Sequence, residues 1–163
     1  MATHRLTNEQ WGFTSNCFVC EPKNAAGLRI PFDHDDVAGV VRADFSLDDR
    51  FSGAPTYVHG GVTLAVLDEA MAWATIAIGG KFAVTSETST TFTYPVRVGR
   101  AYTVEATVAS NDGTTMTTTA TVLDDRRRPC VTAAATFTVL GAAQAVDVLG
   151  VDDLGPDAGF VND

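Results

Sequence analysis

Positive charge is missing where this sequence is most apolar: no Lys or Arg lies between Arg50 and Lys81. The 163 residues carry 11 Lys and Arg against 20 Asp and Glu, a formal net charge of −9. A nucleic-acid surface neutralises phosphates with clustered cations, so no nucleic-acid partner is expected. Part of the acidity is local. Asp147, Asp152, Asp153, Asp157 and Asp163 follow Gly141 with no cation among them, which leaves the body of the chain able to accept an anionic ligand.

Cysteine is sparse as well. Cys17, Cys20 and Cys130 are an odd number, and the first residues hold no apolar run of the signal-peptide kind, so a reducing, cytoplasmic setting is expected. No second CxxC or His pair accompanies Cys17 and Cys20 to complete four zinc ligands, so neither metal nor cofactor is expected. Those two cysteines are read instead as packing an N-terminal loop near the site. Long hydrophobic runs are lacking too. The longest is interrupted by Asp68-Glu69 and falls short of the about 20 residues that span a bilayer, so no membrane partner is expected.

Residues 59–78, from His59-Gly60-Gly61 to Ile78, read as a helix apolar on nearly every side, and such helices are usually buried. The neighbours of Asp68 and Glu69 at i±3 and i±4 are Leu, Ala, Val, Met and Trp, none of them a cation. An unpaired buried carboxylate costs several kcal/mol or takes up a proton. Any compensating charge must therefore come from a distant segment, a second chain or a ligand.

Around this helix the pattern is that of strands. Leu28–Phe32 and Val37–Leu47 read as a hairpin about the turn-forming residues 33–36. Thr- and Val-rich alternation then predicts strands over about 82–94, 101–110, 114–124 and 129–140, with short connections that imply antiparallel pairing. About six strands cover an all-apolar helix only by curling around it, which predicts an α+β domain over 1–140. The stretch 141–163 reads as an acidic, loosely packed tail.

His59-Gly60-Gly61, then Asp68 nine positions after the His, then a strand beginning Val84-Thr85, resembles the hotdog-fold acyl-CoA thioesterases of the phenylacetate-pathway type. Phe51-Ser52-Gly53-Ala54-Pro55, Leu67-Asp68-Glu69-Ala70-Met71 and Cys17-Phe18-Val19-Cys20…Asn24…Gly27-Leu28-Arg29 resemble one bacterial branch of that family. The resemblance spans roughly 16–140. It implies an acyl-CoA partner, with Asp68 as general base for water or as nucleophile and Thr85 helping to hold the water. Burial there would raise a carboxyl's pKa and make it a better proton acceptor than a free Asp near about 3.9. Gly60, at the start of the helix, would offer a backbone N–H to the oxyanion. His59, Gly61 and Glu69 are placed beside the substrate, Glu69 as a supporting anion about 100° around the helix from Asp68. Arg97, Arg100 and Arg126-Arg127-Arg128 are candidates for the CoA phosphates.

Other readings of such a chain are a non-catalytic acyl-ligand-binding protein and a hotdog dehydratase or hydratase. The Gly-Gly after His59 speaks against the latter. Spacing adds a further expectation. Gly60 and Asp68 lie about 12 Å apart along one helix, too far for one carbonyl to touch both. The expected site therefore joins Asp68 of one chain to Gly60 of another across a homodimer, with pairing of dimers into a tetramer as an extension.

Overall fold

The computed structural model describes residues 2–152. The elements in order are β1 (Thr3–Leu6), β2 (Phe32–Asp35), β3 (Val40–Phe45), α1 (Gly60–Ala77), β4 (Ala83–Phe92), β5 (Tyr102–Asn111), β6 (Thr115–Leu123), β7 (Pro129–Val139) and α2 (Ala142–Leu149). The seven strands form one antiparallel sheet in the order β1-β2-β3-β5-β6-β7-β4, which curls around α1 without closing. The predicted hotdog fold is therefore the one observed, with seven strands in place of six.

Alternation builds the core. Val41, Ala43 and Phe45 of β3, Tyr102, Val104 and Ala106 of β5, Met116, Ala120 and Val122 of β6, and Val131, Ala133, Ala135 and Phe137 of β7 are all buried. They meet Val66, Leu67, Ala70, Met71 and Ala74 of α1, also buried. Side chains on a strand point alternately to the two faces, so the intervening Thr and Glu positions face outward. The helix leaves this core abruptly. A Cβ on Gly79 would run into Met116 Sδ and the Thr75 carbonyl, and Gly80 turns with φ +66°. Among the described residues no helix is long and apolar enough to cross a membrane.

Three expectations are corrected. Residues 33–36 are not the hairpin turn: Phe32–Asp35 is a strand, paired with β1 on one side and β3 on the other. Buried Phe32 anchors it, and Arg5 meets Asp33 at 2.7 Å. The turn comes later, where Asp35 Oδ1 accepts from the Val37 and Ala38 N–H groups and Gly39 takes φ +65°. The tail is not irregular throughout, since residues 142–149 form a helix that buries Ala145. Its later part, with Asp153, Asp157 and Asp163, lies outside the described residues. Finally, α1 is not covered on every side. Gly61 is exposed, and Leu64, Ala65, Asp68, Glu69 and Ala72 are only half-buried, forming one stripe at helical spacing.

Phe137 is completely buried beneath α1. Phe137→Ala should cost about 3–5 kcal/mol, the usual loss for a truncated core Phe, read as a lower denaturation midpoint at unchanged m-value.

Candidate functional site

The chain is steered into α1 by a short, well-bonded approach. The His59 N–H donates to the Phe51 carbonyl and the Val58 N–H to the Val96 carbonyl, each at 2.8 Å. His59 caps the helix: its Nδ1 accepts from the Gly61 N–H at 2.9 Å. A capping acceptor satisfies one of the free N–H groups of the first turn. The Gly60 N–H meets no acceptor among the described residues, and Gly60 is exposed. A Cβ there would touch only the Phe92 ring, at 3.8 Å. The helix start thus presents one unused backbone donor beside an aromatic side chain.

Two turns further along the stripe, Asp68 faces β4, where Thr85 Oγ1 donates to Asp68 Oδ1 at 2.6 Å. A bulge interrupts β4 just after Thr85. Thr85 pairs with Phe137 and Glu87 with Thr136, so Ser86 is the extra residue, its hydroxyl donating to the Thr136 carbonyl at 2.9 Å. Beyond it Phe92 pairs with buried Val131 and lies beside Gly60. The structure thus brings Asp68 to Thr85, and His59 to Gly60 and Gly61. It holds the two groups eight residues apart on one helix.

Glu69 points elsewhere, toward the N-terminal loop. Cys17 Sγ lies 3.3 Å from Glu69 Oε1. The loop is fixed by its own sequence: the Leu28 N–H donates to the Phe18 carbonyl, the Ile30 N–H to the Val19 carbonyl, and Asn24 Nδ2 to the Asn16 carbonyl. Gly27 packs so closely that a Cβ would clash with the Phe18 carbonyl. The carboxyl that burial pushes up is Glu69, to about 8, with the Cys17 charge adding to the effect. Cys17 is drawn down to about 5, first by the hydrogen bond from the Cys20 side chain, with the Cys20 and Val19 N–H groups helping. Burial thus favours the protonated form of Glu69, while the N–H groups around Cys17 favour its thiolate. Sequence reasoning placed these cysteines near the site, but Glu69 lies 52 residues from Cys17, and only the folded loop reveals their pairing.

Beside this cluster lies a cavity of about 300 Å³, lined by Phe13, Cys17, Glu69, Trp73, Ile76 and Phe82 among others. A larger cleft of about 770 Å³ is lined by Arg97, Arg100, Arg126 and Arg128 with Tyr94 and Asp124. Arg128 is bound to Asp124 at 3.0 Å and stacks on Tyr94, while Arg97 covers Tyr57, three residues before Gly60. Arg127 is held apart from the cleft by Glu105 at 2.9 Å.

The two shifted groups oppose each other in their effect on stability. A raised Glu69 stabilises the fold below its ordinary value of 4.5 and loses that contribution as pH rises through about 8. A lowered Cys17 does the reverse, stabilising above 9.0 and losing the contribution as pH falls through about 5. In urea titrations with a chelator present, Cys17→Ser should show stability falling with pH across this window relative to wild type. Glu69→Gln should show it rising. Slopes of the same sign in both variants would contradict the pairing.

Residues 56–131 match the family model described as the thioesterase superfamily. A thioesterase superfamily protein of known crystal structure aligns at 28% identity and a TM-score of 0.72, covering 80% of this chain and 64% of that one, so the match spans less than two thirds of that protein. The E. coli PaaI protein of the phenylacetic acid degradation operon aligns at 19% identity and TM-score 0.62, over 70% of this chain and 81% of that one. A Streptococcus mutans protein solved with acetyl CoA aligns at 21% identity and TM-score 0.60, over 63% and 82%. A search of curated proteins gave no match. With the superfamily's pattern running from the approach to α1 into β7, and the same curled sheet around the same helix, the chain is similar to thioesterase superfamily proteins and shares their hotdog fold.

Proposed function

We propose that this protein hydrolyses an acyl-CoA thioester to a free acid and a thiol. The observation that carries the reading is the Thr85–Asp68 hydrogen bond of 2.6 Å on the uncovered stripe of α1, in register with the unused Gly60 N–H at the helix start. Asp68 acts as general base or as nucleophile. As base it takes a proton from water, whose oxygen bonds to the thioester carbon. The negative charge that develops on the carbonyl oxygen is met by the Gly60 N–H and the positive end of the helix dipole. Collapse breaks the C–S bond, and the departing thiolate recovers the proton. Thr85 orients the carboxylate or the water, while His59 and Gly61 line the substrate side and Glu69, expected there from the sequence, is turned to the N-terminal loop.

The site is completed by a second chain. Gly60 and Asp68 are separated by about 12 Å of helix, whereas attack demands both within about 3 Å of the reacting centre. Strand β4 supports such pairing: it is one of the two edge strands of the sheet, ten residues long and exposed along most of its length. An unpaired strand of that kind is a template for another chain, and a twofold axis there creates two equivalent sites. The Arg-lined cleft near Tyr57 suits the phosphates of CoA, and the S. mutans protein of similar fold was solved with acetyl CoA. The three free cysteines suit a reducing, cytoplasmic setting.

Asp68→Asn should lower kcat by about 10²–10⁴-fold, the usual worth of a positioned acid–base group, while acyl-CoA binding survives. If wild type leaves short, medium, long and aryl acyl-CoAs intact while binding them, it is an acyl-ligand-binding protein and the hydrolase reading fails. The shared site has its own test. Gly60→Pro removes the N–H at the first helical position, where proline is tolerated, and should cost about 10²–10³-fold. Mixing Gly60→Pro and Asp68→Asn chains should restore activity through one intact site per heterodimer; a fully active monomer would contradict it.

A further inference from the structure

The Cys17, Cys20 and Glu69 side chains form a group that thioester hydrolysis does not require. Their sulfur and carboxylate ligand atoms all lie within 4.8 Å of one another. Zinc bound to thiolate at about 2.3 Å and carboxylate at about 2.0 Å sets its ligand atoms about 3.5–3.8 Å apart in a tetrahedron. The 3.3 Å between Cys17 Sγ and Glu69 Oε1 already approaches that edge. The loop is shaped for a thiolate, since Cys17 Sγ accepts from the Val19 N–H at 3.4 Å and the Cys20 N–H at 3.5 Å. No ion pair among the described residues reaches Glu69, so a cation here would supply the charge that the apolar helix lacks.

We propose that Cys17, Cys20 and Glu69 bind one zinc ion, clamping the N-terminal loop to α1. Thiolate ligands select zinc over magnesium or calcium. Three protein ligands leave a fourth position for water or a small thiolate, as in open zinc sites. Cys17 and Glu69 both line the cavity of about 300 Å³, and Trp73 in the same wall has a buried indole N–H with no acceptor among the described residues. A third ligand from α1 favours metal over a Cys17–Cys20 disulfide, which would leave Glu69 without a cation. Binding displaces the thiol and carboxyl protons, so uptake releases acid.

The test uses the full chain, reduced with a phosphine and titrated with Co²⁺ and then Zn²⁺. The expected result is one equivalent of cobalt with a thiolate charge-transfer band and tetrahedral visible bands, displaced by zinc. Cys17→Ser, Cys20→Ser and Glu69→Gln should each weaken zinc at least tenfold, and Cys130→Ser should leave affinity unchanged. The wild-type spectrum decides even if a variant fails to fold. Absence of the thiolate band from the reduced chain overturns the proposal. So does undiminished zinc affinity in the Cys17→Ser/Cys20→Ser double variant, or a reduced chain that takes no metal yet oxidises readily to a Cys17–Cys20 disulfide.

Discussion

The structure depends on keeping one nearly uncharged helix out of water. α1 has no cation and its bulk is apolar, so the sheet must curl round it to bury Val66, Leu67, Ala70, Met71 and Ala74. Because the sheet stays open, one stripe of the helix is left at the rim. Asp68 and Glu69 sit on that stripe because it is where a carboxylate can keep partners and access to solvent. The site is thus a by-product of incomplete coverage, and the exposed face of β4 beside it follows from the same opening.

Two adjacent carboxylates then receive different surroundings from helix geometry alone. Successive residues differ by about 100° around the axis, enough to turn Asp68 to a hydroxyl on β4 and Glu69 to thiols on the N-terminal loop. The first arrangement keeps a carboxylate oriented by a hydrogen bond. The second, drier and beside sulfur, shifts the carboxyl toward retaining its proton. Neighbours in sequence thus acquire different partners.

Much of this was legible beforehand. The Thr/Val alternation marks β5 to β7 to within about a residue, because period-2 patterning reports which face meets the core, whereas β4, exposed at nearly every position, is marked by its Thr-rich composition and the apolar run marks α1. What misled was chemistry shared between turns and strand edges. The acidic run 33–36 has turn composition, yet pairing with β1 and the anchor of Phe32 make most of it a strand. β1 itself is four residues long, too short for periodicity to reveal. The short helix α2 in the Asp-rich tail forms around one buried Ala145, a tertiary effect invisible to composition. The pairing of Asp68 with Thr85 agrees with the family motif, whereas the meeting of Cys17 with Glu69 depends on a loop fold that no local pattern encodes.

The single extra residue in β4 determines the parity of the strand. In an uninterrupted strand, residues seven apart point to opposite faces, so Thr85 and Phe92 could not both look toward α1. Ser86 restores the phase, and one strand thereby serves both Asp68 and the neighbourhood of Gly60. The sheet counts residues as odd or even here. Straightening the bulge with every residue kept would turn the aromatic away from the helix start, with no change in composition or hydrophobicity.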